Sequence, residues 1–553
     1  MKIDFMKSAR RGRVVLATLA LAASSVVALS GGPSGAAGNG TLTIGWGNIP
    51  TTFTNNFNPF SATSMAFLGQ SVIYEPLWFF DLADTSQSHP WLAQSYAWSN
   101  SGKTLTFQLR HNVKWSDGQS FTAADVAYTF NLLKTNASLN SNSLPIASAS
   151  APSMYTAVVN FTTKAYADLP LIAGLVYIVP QHVWSTVTDP ATWIDANPVG
   201  TGAYTVQTVT STAITLVANT HYYQPGLPSI KRVQALAFNG NTPLQLAIEN
   251  GTVDWGGSFI SNINQAYIAK NKNYVVENLP AAMAHIWPNV KKGPLSNVAV
   301  RQAFSLAMDR PTIDKAVYDG QLPAVPADGM LAPAYTSVNA AAYQAPVTRN
   351  IAKAKSLLEA AGWKMGSGGF FEKNGQTLSI AVNVTKGWTD YEQILPLMAS
   401  EEKAAGIDMT INDIPLALKQ ADLRTGNFQA DIMFYGFDPS PYLYLKNLVG
   451  STTSPDWLHN PTGYSNATVN VDLAQLAAIP NDYTPAGKAL FAAIEAQIVK
   501  SNVVIPIFVQ QGDAEFNGNQ VTNFPTPLNP YGETASGNWP DVGWVMMHLK
   551  VAK

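Results

Sequence analysis

The sequence predicts an α/β fold. Segments with period-two apolar alternation, the pattern of half-buried strands, alternate along the chain with segments at helical spacing. At 553 residues and 46% hydrophobic content, the chain can bury several cores. Beyond residue 36, no stretch is long and apolar enough to read as a membrane-spanning helix.

Residues 1–36 read as an export signal. Lys2, Lys7, Arg10, Arg11 and Arg13 form a basic start, and residues 14–29 are apolar but shorter than the roughly 20 residues a bilayer span needs. Ser34, Gly35 and Ala36 supply small residues for cleavage. A retained anchor is the alternative, and Arg10-Arg11 leaves a twin-arginine route open. Five of the 33 basic and one of the 35 acidic residues lie here, so the remainder carries 28 basic against 34 acidic groups, a net of −6. The chain has no cysteine, which excludes disulfides, thiolate metal sites, a cysteine nucleophile and lipid attachment through cysteine. From the export signal, the expected location is outside the cytoplasmic membrane, periplasmic or extracellular and associated with the cell envelope, either soluble or held there by means other than a cysteine-linked lipid.

The elements follow in order. TLTIGW at 41–46 alternates as a strand. In TLTFQL, Leu105, Phe107 and Leu109 alternate with polar residues, and Ser116-Asp117-Gly118 has turn chemistry. Thr122 and Asp125 stand at capping-box spacing, Phe121 and Val126 at staple spacing, and Val126, Phe130 and Leu133 form a helical stripe. The Ser/Ala/Asn-rich run 135–152 reads as a surface loop. Residues 198–218 read as a hairpin turning near Ser211, and 241–254 as a short helix closed by Gly251 and followed by a strand. Residues 297–319 give two helices, the second with Pro311 in its first turn. A helix over 351–361 stops at Gly362. Another over 394–405 is followed by Gly406 and the strand IDMTI. There is no internal repeat.

The chemistry-bearing motifs are mostly missing. There is no HExxH and no phosphate-binding loop, and no basic stripe suits nucleic acid. Gly200-Thr201-Gly202 starts a dinucleotide fingerprint but puts Thr205 where the third glycine belongs, so it reads as a turn entering a strand. The seven histidines are scattered, none paired at metal-ligand spacing, and no cofactor or metal is expected. Carboxylates are plentiful, and no local feature favours a glycosidase pair. The remaining signal is aromatic. Trp388, Trp457, Tyr464 and Trp539 sit among turn and polar residues and are candidates for ligand contact, with core packing as the alternative; Trp98 and Trp115 read as structural.

The segment 104–133, with W-S-D-G and T-A-A-D-V after an alternating strand ending in Arg110, resembles the signature region of the family 5 extracellular solute-binding proteins of ABC importers. GTGAY, HYYQPGLPSIKRV, LQLAIENGTVD, VRQAFSLAMDRPTI, AKSLLEAAGW and EEKAAGIDM resemble later family segments in the family's order, over nearly the whole chain after the signal.

The resemblance implies a two-lobed periplasmic-binding-protein clamshell with an extra domain. Its division would be 37–73, 196–288 and 506–553 for the first lobe, 74–195 for the extra domain and 289–505 for the second lobe, the chain crossing near Asn289 and Pro506. It also implies a binding protein rather than an enzyme, working as a monomer with a membrane permease and its ATPase. In peptide-binding members an aspartate pairs with the ligand's α-ammonium; ADIMFYGFDPSPYLY places Asp438 there, with Tyr435 at a neighbouring aromatic position, the alternative for Asp438 being a turn-forming role before Pro439. An oligopeptide is the first expected ligand. A neutral cello- or manno-oligosaccharide is the second, suited by the aromatic residues and the charged content of only 12%. A secreted hydrolase on the same scaffold is a third possibility.

Overall fold

The computed structural model describes residues 40–46, 52–61, 64–85, 87–318, 320, 322–330, 335, 338–436, 438–451, 455, 459–480, 483–526, 528–534 and 540–553. The expected signal segment, Trp457 and Trp539 lie outside the described residues.

A ten-stranded mixed sheet runs through the molecule. Its order is Asp408–Ile414, Ser379–Thr385, Ala430–Gly436, Tyr274–Pro288, Ile505–Asn517, Trp255–Gly257, Thr41–Trp46, Arg232–Leu236, Ala213–Ala218 and Tyr204–Val209. Helices cover its faces, so the architecture is the expected α/β clamshell, with two lobes each built on one end of the sheet. Within the first lobe, Thr41–Trp46 runs parallel to both Arg232–Leu236 and Trp255–Gly257. Within the second, Ser379–Thr385 runs parallel to Asp408–Ile414 and Ala430–Gly436.

The two long central strands, Tyr274–Pro288 and Ile505–Asn517, pair antiparallel with each other and serve both ends. Near residue 515 the second pairs with Trp255 and Gly256, while 282–288 of the first pair with 430–436. A register shift separates Pro280 from Ala282 in this ladder. Asn289 and Pro506, the expected crossings, both sit with second-lobe partners: the Asn289 N–H donates to the Gln429 carbonyl at 2.8 Å, and the Pro506 carbonyl accepts from Arg310 Nε at 2.8 Å. A second shift lies between Ala284 and His285. We propose that the chain changes lobe at the first of these shifts, inside the strands, rather than at their ends.

The extra domain is built on a four-stranded sheet, Ala93–Ser99, Thr104–Leu109, Thr156–Phe161 and Ile146–Ser153. Leu105, Phe107 and Leu109 are buried as their alternation requires. The capping box forms: the Thr122 N–H donates to Asp125 Oδ2 at 2.9 Å, and the Ala124 N–H donates to Thr122 Oγ1 at 3.3 Å. The helix it starts, Ala123–Thr135, buries Val126, Phe130 and Leu133. The expected loop 135–152 is corrected here, because its last third belongs to the edge strand Ile146–Ser153. The strand pairs with Thr156–Phe161 on one edge, and on the other the Asn131 side chain bonds a single residue, Ala149. Asn131 Nδ2 donates to the Ala149 carbonyl at 2.8 Å, and the Ala149 N–H donates back to Asn131 Oδ1 at 3.0 Å.

The Gly200-Thr201-Gly202 turn is a packing device. A Cβ at Gly200 would lie 1.9 Å from the Ile73 carbonyl oxygen, and one at Gly202 2.2 Å from that of Val72. In the second lobe the helices Val298–Ala307, Arg310–Tyr318 and Ile351–Ala360 form as expected. The expected helix 394–405 spans Thr389–Ala404, because its polar first turn, with Asp390 and Glu392, conceals the start. The largest apolar cluster joins Leu105, Phe107 and Phe130 of the extra domain to Leu445, Leu448 and Val449 of the second lobe.

Among the described residues, the buried carboxyl of Glu75 has no ion-pair partner. Glu75 Oε1 accepts from Trp91 Nε1 at 2.8 Å and from the Tyr222 hydroxyl at 3.0 Å, and burial pushes its pKa up to about 8. The unfolded chain releases this proton near pH 4.3. The folded state therefore holds a proton that the unfolded state has lost, and stability falls as pH rises from about 4 through 8. Glu75→Gln keeps the acceptor and removes the titration. Thermal unfolding should show the variant melting above wild type at pH 8 and close to it at pH 5; equal offsets at both pH values would contradict the buried neutral carboxyl.

Candidate binding site between the strand ends

In open α/β sheets, ligands bind in the crevice beyond the carboxyl ends of parallel strands. Here those ends face each other from the two lobes. Asn241, which follows Arg232–Leu236, donates through Nδ2 to Thr389 Oγ1 at 3.2 Å, and Thr389 follows Ser379–Thr385. Phe259, after Trp255–Gly257, packs edge-on against Tyr318 with ring centres 5.5 Å apart.

Asp438 lies two residues past Ala430–Gly436 and two before Ser440, whose hydroxyl caps the helix Pro441–Val449 by accepting from the Leu443 N–H at 3.2 Å. Tyr435 donates to Asp438 Oδ2 at 3.2 Å, and Asn447 Nδ2 donates to Oδ1 at 3.1 Å. The Tyr335 hydroxyl accepts from the Asp438 N–H and donates to its carbonyl, both at 3.0 Å. Tyr444 packs against Tyr335 and Tyr435 at 5.0 and 5.2 Å and donates to the Gly329 carbonyl. This aromatic setting desolvates the carboxyl and pushes its pKa up to about 6, against the opposing pull of the two hydrogen bonds and of the His459 and Lys446 charges. Part of its surface nevertheless stays accessible. No ion pair among the described residues includes Asp438. A carboxylate accepts about four hydrogen bonds, and two are used among the described residues. Asp438 can therefore take a further donor or a cation.

Trp388 stands at the start of Thr389–Ala404, half-buried against Phe434 and Tyr391 at 5.8 and 6.0 Å. Beneath it lies a buried ion pair. Lys419 Nζ is 2.8 Å from Asp431 Oδ1, donates to the Ile432 carbonyl at 2.5 Å and sits 5.5 Å from the centre of the Trp388 ring. Asn383 donates to Asp431 Oδ2 at 3.3 Å, and Asn412 donates to Asn383 at 3.2 Å. Burial pushes the Lys419 pKa down and the Asp431 pKa up, and their mutual attraction opposes both shifts.

The sequence candidates thus fall in different places. Asp438 and Tyr435 touch each other. Trp388 is at the end of a neighbouring strand on the same side of the sheet. Tyr464 is buried, with its N–H and carbonyl both held by the Asn460 side chain and its hydroxyl accepting from Asn466, the bonding of a loop brace. Sequence reasoning missed Lys419, Tyr335 and Asn447. The one available signal was Asp431, a charge inside the apolar strand ADIMFYG, which implied a buried partner without naming it.

Residues 87–456 match the model of the bacterial extracellular solute-binding proteins, family 5, middle region. The chain is 27% identical over 401 residues to a nickel-binding periplasmic protein of Escherichia coli, covering 70% of this chain and 75% of that one. Among solved structures, it is similar to a mannohexaose-bound periplasmic oligopeptide-binding protein of Thermotoga maritima, with TM-score 0.82 and 23% identity, covering 93% of this chain and 99% of that one. It is also similar to an oligopeptide-binding protein of Bacillus subtilis in complex with a nonapeptide, with TM-score 0.76 and 19% identity, covering 93% and 99%.

Removing one member of a buried ion pair strands the other charge. Asp431→Ala should cost about 3–5 kcal/mol in chemical denaturation. Replacing both partners with apolar residues, as in Lys419→Met with Asp431→Leu, should cost much less. Equal costs for the single and double variants would show that the pair is not coupled.

Proposed function

The chain belongs to the family 5 bacterial extracellular solute-binding proteins of ABC importers, and from that premise we propose that it captures an oligopeptide between its lobes and delivers it to a membrane permease. Members of this family bind solutes and are not enzymes. The observation that carries the peptide reading is Asp438. Its carboxyl is desolvated by tyrosines, has no cationic partner among the described residues and keeps acceptor capacity in the crevice between the strand ends. A peptide α-ammonium entering such a crevice loses its water and needs a carboxylate partner. Hinge closure then follows from the extra contacts made only in the closed state.

The half-buried ring of Trp388, at a strand end on the same side of the sheet, favours a second reading, a neutral oligosaccharide stacked on aromatic faces. The family's ligand range supports keeping it, since the Thermotoga maritima relative holds mannohexaose.

Asp438→Asn separates these readings. For a peptide it should weaken binding by about 2–5 kcal/mol, roughly 30- to 5000-fold. For a cello- or manno-oligosaccharide the loss should be nearer 1–3 kcal/mol, the cost of one hydrogen bond to a charged group. Calorimetric titration with peptide and oligosaccharide panels reads the difference. Tight peptide binding that survives Asp438→Asn unchanged would remove Asp438 from the site.

The pH profile adds a second check. The peptide needs Asp438 ionised, and its carboxyl protonates below about pH 6. Peptide affinity should therefore fall as pH drops through 6, approaching tenfold per unit below it. Neutral-sugar affinity should change far less over the same range.

A further inference from the structure

One contact ties the extra domain to the second lobe beside Asp438. The short turn Tyr166–Asp168 touches the helices Pro441–Val449 and Ala467–Ala477. Across that junction Asp168 Oδ1 lies 3.7 Å from Lys446 Nζ, with the two side chains 20% and 41% exposed. Around the pair the junction is apolar, since Ala167, Leu171 and Ile172 share one buried cluster with Leu445, Leu448 and Val449. On the turn itself Tyr166 is anchored to Trp98, with ring centres 5.2 Å apart. Lys446 Nζ also lies 5.7 Å from the Tyr442 ring centre. The next residue along the helix, Asn447, donates to Asp438 Oδ1 at 3.1 Å.

We propose that Asp168 and Lys446 form a closure clasp that also sets ligand specificity: the pair fastens the extra domain to the second lobe, and Asp168 neutralises the lysine whose charge reaches Asp438, leaving that carboxylate to a cationic ligand group. The second half of this statement rests on the peptide reading above; the first half does not. Opening the cleft separates the apolar junction and strips Lys446 of its partner. The freed cation then acts on Asp438 unopposed, together with His459, and a ligand cation meets stronger repulsion in the open form than in the closed one. Closure and cation recognition thereby reinforce each other. Burial raises the Asp168 pKa and the Lys446 charge opposes that rise, which agrees with an ion pair that is partly desolvated.

The chain's lack of cysteine allows a direct test on the intact protein. Ser150→Cys in the extra domain and Lys353→Cys in the second lobe, both at exposed positions, carry spin labels. Double electron–electron resonance then gives the closed-to-open ratio without ligand. At low salt Asp168→Asn and Lys446→Gln should each lower that ratio by about 1.4- to fivefold, the range of a partly exposed pair. The double variant should match either single one, the Asp168→Lys with Lys446→Asp swap should restore the ratio, and raised salt should erase the differences. Unchanged ratios in both single variants, or additive losses in the double variant, would overturn the clasp.

Titration with trialanine and cellotetraose tests the specificity half. Asp168→Asn should weaken trialanine more than cellotetraose, and Lys446→Gln should shift the preference back toward trialanine. Equal effects on both probes would overturn that half. If neither probe binds wild type, the peptide and oligosaccharide readings both fall and the specificity half with them, while the label distances still decide the clasp.

Discussion

The structure depends on backbone hydrogen bonding through two strands. Tyr274–Pro288 and Ile505–Asn517 belong to both ends of one sheet, so neither lobe can choose its orientation freely. Every buried N–H and C=O along them needs a partner, and a continuous ladder supplies it. A ladder is stiff where it is regular and yields where its register shifts. The shift between Pro280 and Ala282 lies where the partners change from first-lobe to second-lobe strands. It is also opposite Gly436, the last residue of the strand that carries Tyr435 and leads to Asp438. One of the two irregular points of the shared ladder, the other lying between Ala284 and His285, is therefore opposite the end of the strand that leads to Asp438.

The second lobe buries an ion pair on the strand that leads to Asp438, with Asp431 opposite Trp287. Lys419 and Asp431 are both buried, and such pairs gain little net stability over apolar replacements. What the pair does supply is geometry. Lys419 bonds the strand backbone at Ile432 and lies over the Trp388 ring, so helix, strand and indole are fixed by one ammonium. The tyrosines around Asp438 act the same way on the loop, with Tyr335 bonding both backbone groups of that residue. Trp388 and Asp438 are thus each held by a group that never needs to touch ligand.

Much of the fold was legible because its signals are local. The capping box at Thr122 and Asp125, the helix stop at Gly362 and the hairpin around Ser211 each depend on a few adjacent residues. The strand Ile146–Ser153 was illegible because its partner is partly a side chain, Asn131, on a helix. The site was less legible still. Asp438 and Tyr435 came from one motif, but Asn447, Tyr335 and Lys419 reach the site from other elements, and nothing in LALKQADLRT separates the buried Lys419 from a solvated lysine. Contacts such as Asp168 with Lys446 join residues nearly three hundred positions apart, and sequence spacing carries no trace of them.

A chain with so few charges makes each one near a closing cleft count for more. The charges that reach Asp438 are those of His459 and Lys446, and Lys446 is paired with Asp168. Specificity is a difference of affinities, and a desolvated carboxylate creates that difference by penalty as much as by attraction. A ligand that brings a cation relieves the cost of ionising Asp438 in its tyrosine surround. A neutral ligand leaves that cost standing above pH 6, where the carboxyl must be charged without a counter-ion, and meets a protonated hydroxyl donor below it. On the peptide reading, the same burial that shifts the titration of Asp438 gives the two ligand classes unequal responses to pH, a steep one for a cation and a shallow one for a neutral sugar.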